Sequence, residues 1–480
     1  MATEFGNEAI AERLDRLATL LDAAGSTRYS VRAYRRAAAL VRSAPVDVAS
    51  LVRAGRAREL RGVGRSIEAR LVELVETGDL AEIAELEASL SPSKVRRASE
   101  RARVPGTVRL NGARAALAEL AATLGGVAAG DARRGVELPE RHAVAVPSLD
   151  DVESSEAIVS VLAGEDSRVV VATAAGLPVE ILDGPLGTAL VRATGSAEWV
   201  AALGELPEAE TEEELFAALG LPFVPPELRE VGAPDVPADL LEREDVRGDL
   251  HVHTTWSDGR ASVLEMGEAA RALGHEYLAI CDHTKAVRVV AGLDADDLRR
   301  QAEEIAAANE TLAPFRVLRG VECDILPDGS LDLPDDVLAE LDWVQISLHA
   351  GQRHSRDALT RRVTTAMRYP AARCLSHPKG RLLGHRPENA LDLDEVFAVC
   401  LETGVAVEVN GLPDRLDLSG AHVAEAIAAG VSIVCSTDAH STAGLELIEL
   451  SVTTARRGAA PRGRVLNTRP VDTLLAQTRA

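Results

Sequence analysis

The sequence predicts a multidomain α/β protein with an all-α N-terminal region, a small α+β middle region and a C-terminal barrel. Apolar residues recur at helical spacing through residues 1–90, whereas residues 245–480 alternate short apolar runs with helix-like stretches. A proline-rich segment separates this alternating part from the rest of the chain. Because a single core seldom exceeds about 250–300 residues, a chain of 480 residues should fold as several domains.

The N-terminal region, residues 1–90, carries the pattern of a helix-hairpin-helix DNA-binding domain. Two glycines stand between predicted helices, and the second helix begins close behind them. Glycine lets the backbone approach a phosphate closely, and the N–H groups at a helix start favour an anion. We therefore predict that Arg61, Gly62, Gly64 and Arg65 contact the DNA backbone. The alternative is an ordinary helix turn with surface arginines.

The middle region, residues 91–221, is predicted as a small α+β domain. Four apolar runs are compatible with strands: Ala143–Val146, Ile158–Leu162, Val169–Ala172 and Val179–Leu182. None of them leads into residues with obvious chemistry. Residues 222–244 follow as a linker, because their prolines are too dense for a regular helix or strand.

Seven apolar runs in residues 245–480 each lead into a polar side chain that can bind a metal ion. In a parallel barrel the carboxyl ends of all strands open onto one face, so residues far apart in sequence meet there. One catalytic zinc takes about three protein ligands, fewer than this set offers. The sequence therefore predicts a site for more than one metal ion. The nine candidate ligands are His251, His253, Asp258, His283, Glu322, His349, His377, Asp438 and His440.

Composition narrows the possible partners and locations. The net charge of −23 argues against a protein coated with basic surface for nucleic acid, although residues 1–110 are mildly basic, with 19 Lys and Arg against 15 Asp and Glu. The five cysteines form no Cys-x-x-Cys pair, and neither a signal-peptide pattern nor a long apolar span is found. These features predict a reducing cytoplasm and no membrane partner.

The motifs at six of the seven runs resemble those of the PHP (polymerase and histidinol phosphatase) phosphoesterase superfamily. They are Asp249–Gly259, Cys281–His283, Gly320–Glu322, Ser347–His349, Ser376–Pro378 and Ser436–His440. The resemblance implies a distorted (β/α)7 PHP barrel over residues 245–480. Joined to the helix-hairpin-helix pattern, it extends to the bacterial family X DNA polymerases, which carry a polymerase-beta-like unit before a PHP domain. Ala193–Trp199 and Pro222–Arg229 look like the palm end and linker of that family.

The middle region departs from the family X pattern at the polymerase site. Such a palm needs a Gly-Ser loop for the triphosphate and an Asp-x-Asp pair for two Mg²⁺ ions. The equivalent stretch here is His142–Val146, which has no such pair, and Glu180 stands where the family has its third palm aspartate. We therefore expect a degenerate fingers and palm-like domain over residues 91–221, without polymerase activity. The first 93 residues also lack lysine, which argues against a lyase that works through a Schiff base.

The PHP resemblance implies that the nine ligands are shared among three divalent metal ions. The first ion would be held by His251, His253, Glu322 and Asp438. Glu322 would bridge to a second ion held by His349 and His377, and Asp258, His283 and His440 would hold a third. Mixed imidazole and carboxylate ligands suit zinc, manganese or iron better than magnesium alone.

The same resemblance implies phosphoester hydrolysis, with Glu322 and Asp438 at the catalytic centre. Paired metal ions can activate water and neutralise charge on the phosphate oxygens. Lys285, Lys379 and Arg381 follow the ligand motifs, and we expect some of them to bind substrate phosphate. The alternative is that they are solvated loop charges. Asp282 is expected to orient a ligand histidine rather than to bind metal.

The predicted function is that of a metal-dependent nuclease, a 3′-5′ exonuclease or 3′-end processing enzyme in DNA repair. Its partner would be the DNA backbone, bound without sequence preference. One alternative is a small-molecule phosphatase of the histidinol-phosphatase type. Another is a non-catalytic DNA-binding scaffold, which the large ligand set disfavours because a structural zinc needs only about four ligands. A residual polymerase ranks last.

Overall fold

The computed structural model describes residues 6–90 and 108–478, with residues 25, 27, 45, 61, 62, 151, 153, 166, 174–176 and 289 excepted. The chain divides into two compact units, Met1–Val231 and Gly232–Ala480. The division falls inside the segment predicted as a linker. Each unit has its own apolar core.

The first part of the N-terminal unit is helical, as its apolar spacing predicts. Its helices are α1 Asn7–Ala23, α2 Arg28–Ser43, α3 Val48–Arg53, α4 Arg65–Thr77 and α5 Ala81–Ser89. Their apolar faces meet in one cluster that includes the fully buried Leu14, Leu17 and Leu71. Gly78 ends α4 in the left-handed conformation (φ 80°), a role that glycine fills without strain.

The second part of this unit is a five-stranded sheet flanked by helices. Its elements are α6 Leu110–Leu124, β1 Val127–Gly130, α7 Asp131–Arg134, β2 His142–Ala145, β3 Ile158–Glu165, β4 Arg168–Thr173, β5 Pro178–Leu182, α8 Leu186–Thr194, α9 Ala197–Ala202 and α10 Glu212–Ala218. The strand order is β1-β2-β5-β4-β3, and only the β2–β5 pair is parallel among the described strands. The four predicted strands are present, and the edge strand β1 is additional.

The start of the predicted linker is packed rather than extended. Pro226–Leu228 forms a short 3-10 turn, and the side chain of Arg229 is fully buried. Its guanidinium donates to the Glu212 carboxylate and lies 5.4 Å from the centre of the Phe216 ring. Proline density alone predicted a free connection, but a buried ion pair under an aromatic ring fixes this segment.

The C-terminal unit alternates strands and helices throughout. Its elements are β6 Gly248–Val252, α11 Val263–Ala272, β7 Tyr277–Ile280, α12 Ala295–Leu312, β8 Arg316–Asp324, α13 Asp335–Leu338, β9 Trp343–Ser347, α14 Arg356–Ala366, β10 Cys374–Leu375, α15 Leu393–Thr403, β11 Ala406–Asn410, α16 Gly420–Ala429, β12 Ile433–Ser436, α17 Ile448–Arg457 and α18 Val471–Thr478. A capping box at Ser262 and Glu265 opens α11, and Gly404 and Gly430 end α15 and α16, as predicted.

The seven strands β6 to β12 form a nearly closed parallel barrel in sequence order. A single parallel bridge between Val252 and Ala439 joins the first strand to the last. Apolar side chains from the strands and the outer helices fill the core, and most strand residues are buried. The predicted (β/α)7 barrel is thus confirmed, and all seven carboxyl ends open onto one face.

Two structural features bear on the expectations drawn from composition: the state of the cysteines and the apolar length of the helices. All five cysteines are buried and unpaired. No helix among the described residues is long and apolar enough to cross a membrane.

Candidate metal centre

The barrel brings all nine predicted ligands together at the carboxyl ends of its strands. His251 and Glu322 lie within β6 and β8, and the others follow the strands by a few residues. Ion-pair distances below 4 Å connect the nine side chains into one cluster. Most of them are buried, whereas Asp258 and His440 keep about a third of their side-chain surface exposed (29% and 33%). The cluster is therefore open to solvent on one side.

Three overlapping groups of side chains are spaced to hold an ion each. They are His251, His253 and Asp438; His283, Glu322 and His349; and His253, Asp258, His283 and His440. Within them, His253 Nε2 lies 3.1 Å from Asp438 Oδ1, and His440 Nε2 lies 3.3 Å from Asp258 Oδ1. The grouping differs from the predicted one in three respects: Glu322 is absent from the first group, His283 stands in place of His377 in the second, and His253 joins the third.

Glu322 is at the centre of the cluster, as expected of a bridging carboxylate. One of its oxygens, Oε1, lies 3.0 Å from His377 Nε2 and 3.4 Å from His349 Nε2. The other, Oε2, lies 2.8 Å from His283 Nδ1 and 3.7 Å from His251 Nε2. His377 thus reaches the same carboxylate as His349, although it falls outside the three groups.

Several buried atoms of the cluster have no hydrogen-bond partner, which fits a metal site. Glu322 Oε2 and His283 Nδ1 are close but not aligned for a hydrogen bond, and His253 Nδ1 also lacks one among the described residues. A buried polar atom without a partner costs about 1–3 kcal/mol. Ligation of divalent cations removes that cost, and imidazole with carboxylate is a donor set that such cations accept.

Glu322 and His253 have protonation states that suit metal binding. Burial works to raise the pKa of Glu322, but His349, His283 and His251 outweigh it and hold the pKa well below its usual range. Burial lowers the pKa of His253 to about 3, with a further contribution from His283. A carboxylate that stays ionised and an imidazole that stays neutral are the forms that ligate metals.

Glu408 is a residue of the site that the sequence analysis missed. It lies in β11 and is fully buried, and its carboxylate accepts a hydrogen bond from His251 Nδ1 at 2.6 Å. This bond leaves His251 Nε2 directed at the other ligands. Glu408 also accepts from the backbone N–H of His377 at 2.7 Å and from Ser436 Oγ at 2.6 Å. Such a partner fixes the tautomer and the orientation of a ligand histidine.

Two further aspartates hold the loops that carry the ligands. Asp249 accepts from Thr437 Oγ1 at 2.5 Å, which ties the first strand to the segment after the last. Asp282 accepts from Thr254 Oγ1 at 2.6 Å and from Gln301 Nε2 at 2.6 Å. Asp282 was expected to orient a ligand histidine, but it holds the backbone directly after His253 instead.

Two ligands have a left-handed backbone conformation that is unusual for residues other than glycine. His377 (φ 25°) follows β10, and Asp438 (φ 55°) follows β12. Strained conformations of this kind cost about 1–3 kcal/mol each and cluster at functional sites. The surrounding hydrogen bonds hold both side chains toward the cluster.

The three basic residues predicted to bind phosphate all have protein partners. Lys285 is about half-exposed and pairs with Asp294 and Asp297. The buried Lys379 donates its amino group to the Leu391 carbonyl. Arg381 donates to the carbonyls of Arg415 and Leu416. These contacts favour a supporting role for Lys379 and Arg381 over direct contact with substrate.

Arg415 is the basic side chain that the structure places beside the ligands. It lies in the loop after β11, its Nε is 3.7 Å from Asp438 Oδ2, and its side chain is 19% exposed. The backbone of this loop is held by Arg381. Burial lowers the pKa of the nearby Arg386 guanidinium, and the positive charge of Arg415 lowers it further. No sequence signal distinguished Arg415 from other loop arginines.

The predicted DNA contacts in the helical region are only partly described. Arg61 and Gly62 lie outside the described residues, and Arg65 begins α4. Gly64 precedes this helix as its N-cap residue, and its α-carbon faces open space. Arg70, one turn further on, pairs with Glu73 and Glu82.

Comparisons with known families agree with the fold. Residues 249–407 match the PHP domain, residues 5–80 match a helix-hairpin-helix domain, and residues 191–230 match the DNA polymerase beta thumb. The barrel with its ligand cluster is therefore a PHP domain. The thumb match covers residues that the sequence analysis divided between a palm-like domain and a linker.

The three matches together confirm the resemblance to bacterial family X DNA polymerases that carry a PHP domain. The chain is 42% identical over 270 residues to the DNA polymerase/3′-5′ exonuclease PolX of Bacillus subtilis, covering 55% of this chain and 47% of that protein. It is 29% identical over 202 residues to a probable phosphatase of Acetivibrio thermocellus, covering 40% of this chain and 78% of that protein. The chain thus spans about half the length of its Bacillus relative.

A histidinol phosphate phosphatase from Lactococcus lactis, solved with zinc, L-histidinol and phosphate, aligns with 44% of this chain and 93% of its own. The TM-score is 0.32 and the identity is 13%. This alignment is too loose to support any argument about the present chain.

Proposed function

We propose that this chain is a metal-dependent phosphoesterase that removes nucleotides or blocking groups from DNA 3′ ends, most simply as a 3′-5′ exonuclease in DNA repair. The observation that carries the proposal is the convergence of nine candidate ligand side chains at the open face of a PHP barrel. The name of the Bacillus relative, which includes a 3′-5′ exonuclease, supports the same reaction. The unpaired cysteines fit the cytoplasmic location that we propose with it.

The ligand cluster would hold three divalent ions of zinc, manganese or iron. Bound ions of this kind supply Lewis-acid chemistry, which activates water and neutralises charge on the phosphate oxygens. Glu322 lies close to His251 of one ligand group and to His283 of another, and Asp438 contacts His253. Glu408 orients His251, and Asp282 fixes the backbone after His253.

Arg415 would bind the scissile phosphate directly. A guanidinium can form two parallel hydrogen bonds to a phosphate, and this one lies next to the ligand Asp438. Arg381 acts as a positioning residue, because its side chain donates to the carbonyls of Arg415 and Leu416, whereas the side chain of Lys379 donates to the Leu391 carbonyl. Lys285 is exposed, and it could bind a phosphate group only after its ion pairs with Asp294 and Asp297 are broken.

Residues 1–90 would bind duplex DNA through its backbone, with contacts from Arg61, Gly62, Gly64 and Arg65. The helix-hairpin-helix match supports this assignment. The domain organisation that we propose has this region first, a degenerate polymerase-like domain over residues 91–221, a connection over residues 222–244 and the PHP domain over residues 245–480.

The middle domain would have no polymerase activity. Glu180, in the position of the third palm aspartate, is already paired with Arg141 at 2.8 Å and with Arg168. The two guanidinium groups neutralise this carboxylate and repel a divalent cation, which disfavours binding of Mg²⁺ at Glu180. The neighbouring strand β2 supplies His142 and alanines instead of a carboxylate pair.

A small-molecule phosphatase is the second candidate, because relatives named as probable phosphatases match the barrel. We would compare Mn²⁺-dependent hydrolysis of an end-labelled duplex with a recessed 3′ end and of histidinol phosphate at equal concentration. Stepwise loss of 3′ nucleotides with histidinol phosphate intact supports the nuclease. Phosphate release from the small ester alone refutes it.

The His253→Ala variant tests the site assignment separately from the DNA-binding assignment. His253 is fully buried in two of the three ligand groups. The variant should lose hydrolysis and keep its affinity for DNA, measured by fluorescence anisotropy. Normal digestion of DNA by this variant would show that the cluster is not the active site.

A further inference from the structure

A cavity at the amino ends of the barrel strands lies on the face opposite the metal ligands. Its walls come from α13, from the loops that lead into β9 and β10, and from Arg319 of β8. Its volume is about 360 Å³, within the range of about 300–1,000 Å³ that is typical of small-molecule sites. We call it the basal cavity. Because the ligand cluster lies at the carboxyl ends of the strands, the proposed hydrolysis makes no use of this cavity.

Apolar side chains form much of the wall of the basal cavity. Leu338 and Val344 line it and are buried, with 1% and 2% of their surface exposed. Leu341, Tyr369 and Ala371 pack against the barrel core but remain partly exposed. Removing apolar surface from water is favourable in proportion to its area. A ligand of this cavity therefore gains from an apolar body.

Arg373 brings to the cavity a positive charge that no carboxylate balances. Its side chain is half-buried, and Nη1 donates to the carbonyls of Pro370 and Ala372 at 2.6 and 3.1 Å. It forms no ion pair with any residue that the structure describes, and burial alone lowers its pKa. Charges that are withdrawn from water are normally paired. The guanidinium group is therefore suited to bind an anion.

The unused edge of the Arg373 guanidinium matches a carboxylate. Nη1 is occupied by backbone carbonyls, whereas Nε and Nη2 have no hydrogen-bond partner in the described part of the chain. Both atoms are accessible, since neither belongs to the buried atoms that lack a partner. The N–H groups on this edge of an arginine are parallel and can donate to the two oxygens of one carboxylate. One guanidinium also neutralises the single charge of a carboxylate.

The acidic side chains around the cavity have partners of their own or are exposed. Asp342 accepts from Arg319 Nε and Nη2 at 3.2 Å each. Glu340 pairs with Arg299 at 3.1 Å, and Asp335 is exposed. These carboxylates disfavour an anion of higher charge, such as a phosphate, because like charges repel. The free guanidinium edge is thus left to a monoanion.

We propose that the basal cavity binds a small organic acid with one carboxylate and an apolar body. The carboxylate pairs with the Nε–Nη2 edge of Arg373, and the body contacts Leu338, Leu341 and Val344. This body can be aliphatic or aromatic. Binding involves no metal ion, because the cavity and the ligand cluster share no residue. The proposal goes beyond the proposed nuclease activity and does not depend on it.

The test is a set of titrations of the full-length protein, with its metal ions bound, followed by ligand-observed NMR. Hexanoate and phenylacetate are the probes, and hexanamide, phenylacetamide and acetate are the controls. Each amide keeps the apolar body without the charge, whereas acetate keeps the charge without the body. We expect an acid to bind at least about tenfold more tightly than its amide and than acetate. Preference for hexanoate identifies an aliphatic ligand, and preference for phenylacetate an aromatic one.

Three substitutions locate the carboxylate. Arg373→Gln should weaken binding of the acid at least about tenfold, to the level of its amide. Arg368→Gln removes an exposed arginine from the preceding loop, which pairs with Glu402, and should leave binding unchanged. His253→Ala disrupts the ligand cluster and should also leave binding unchanged. Loss of binding in His253→Ala would place the carboxylate on the metal ions and overturn the proposal.

A fourth substitution does not touch the contacts of Arg373 with the backbone. Ala339 lines the cavity and is exposed, so Ala339→Tyr should fill part of the cavity and weaken acid and amide alike. Thermal unfolding checks that each variant is folded, and Ala339→Tyr decides alone if Arg373→Gln does not fold. The proposal is overturned if neither acid is preferred over its controls, if the preference survives Arg373→Gln, or if Ala339→Tyr binds like wild type.

Discussion

Glu408→Gln is the substitution that tests the architecture of the metal site most directly. Five donors converge on this buried carboxylate: His251 Nδ1 and Ser436 Oγ at 2.6 Å, the His377 backbone N–H at 2.7 Å, and Gln345 Nε2 and Asn410 Nδ2 at 3.2 Å. Burial works to raise the pKa of Glu408, but His251 and His377 outweigh it, so the group is an anion in the folded protein.

The expected loss in the free energy of unfolding follows from the hydrogen bonds that a glutamine side chain cannot accept. Three of the donors bond to Oε1 and two to Oε2, so replacing either oxygen with the NH2 group of a glutamine leaves at least two donors without their acceptor. Each such buried donor costs about 1–3 kcal/mol, which gives a loss of about 2–6 kcal/mol in the free energy of unfolding. His251 also loses the partner that fixes its tautomer, and removal of such a partner costs about 10–100-fold in metal affinity or activity.

The assay combines three measurements on wild type, Glu408→Gln and the control Glu402→Gln. Glu402 is an exposed glutamate of α15 that pairs with Arg368, so its substitution should change nothing measurable. Metal affinity is measured by competition with a chelator, hydrolysis with a labelled duplex, and stability by urea unfolding. Metal affinity and hydrolysis within twofold of wild type in Glu408→Gln would refute the orienting role.

Three further predictions concern other parts of the chain. His275 is buried without ring partners among the described residues, and burial lowers its pKa to about 4. As the pH falls below about 6.5, the unfolded state takes up the proton before the folded state does, so the free energy of unfolding should fall with pH. Between pH 7 and pH 5, His275→Phe should therefore lose about 2 kcal/mol less stability than wild type in urea titrations with EDTA. Arg415→Lys should raise KM for DNA about tenfold with a smaller change in kcat, since lysine cannot bind phosphate in two places; an unchanged KM would restrict Arg415 to supporting Asp438. Arg65→Gln should weaken duplex binding and lower the slope of log affinity against log salt concentration by about one, measured by anisotropy; an unchanged slope would remove Arg65 from the interface.

The convergence of the nine candidate ligands could be predicted because two regularities coincide. Apolar runs mark buried parallel strands, and a polar residue directly after such a run has to lie at the carboxyl end of the barrel. His349, His377 and Asp438 were found in this way and lie in the cluster. Predicting that these side chains converge required no knowledge of side-chain packing, since the strand order alone brings them together.

Residues that act through tertiary contacts were harder to predict. Glu408 stands inside an apolar run, and a charged residue in a buried strand has to be paired, so the sequence held a signal that was overlooked. Arg415 gave none, because its place depends on the course of a loop that is fixed by hydrogen bonds from distant residues. Lys379 and Arg381 were chosen for their nearness in sequence to His377, but their side chains bind backbone carbonyls.

The contact between the first and last barrel strands affects when the candidate metal site is completed during synthesis. Asp249 and Thr437, which join the two sides, are separated by 188 positions, and the group formed by His251, His253 and Asp438 spans the same gap. Contacts between residues so distant in sequence form late in folding. Any nascent fragment that ends before Asp438 lacks one side chain of this group, so the ion proposed for it could be bound only after the last barrel strand has been synthesised.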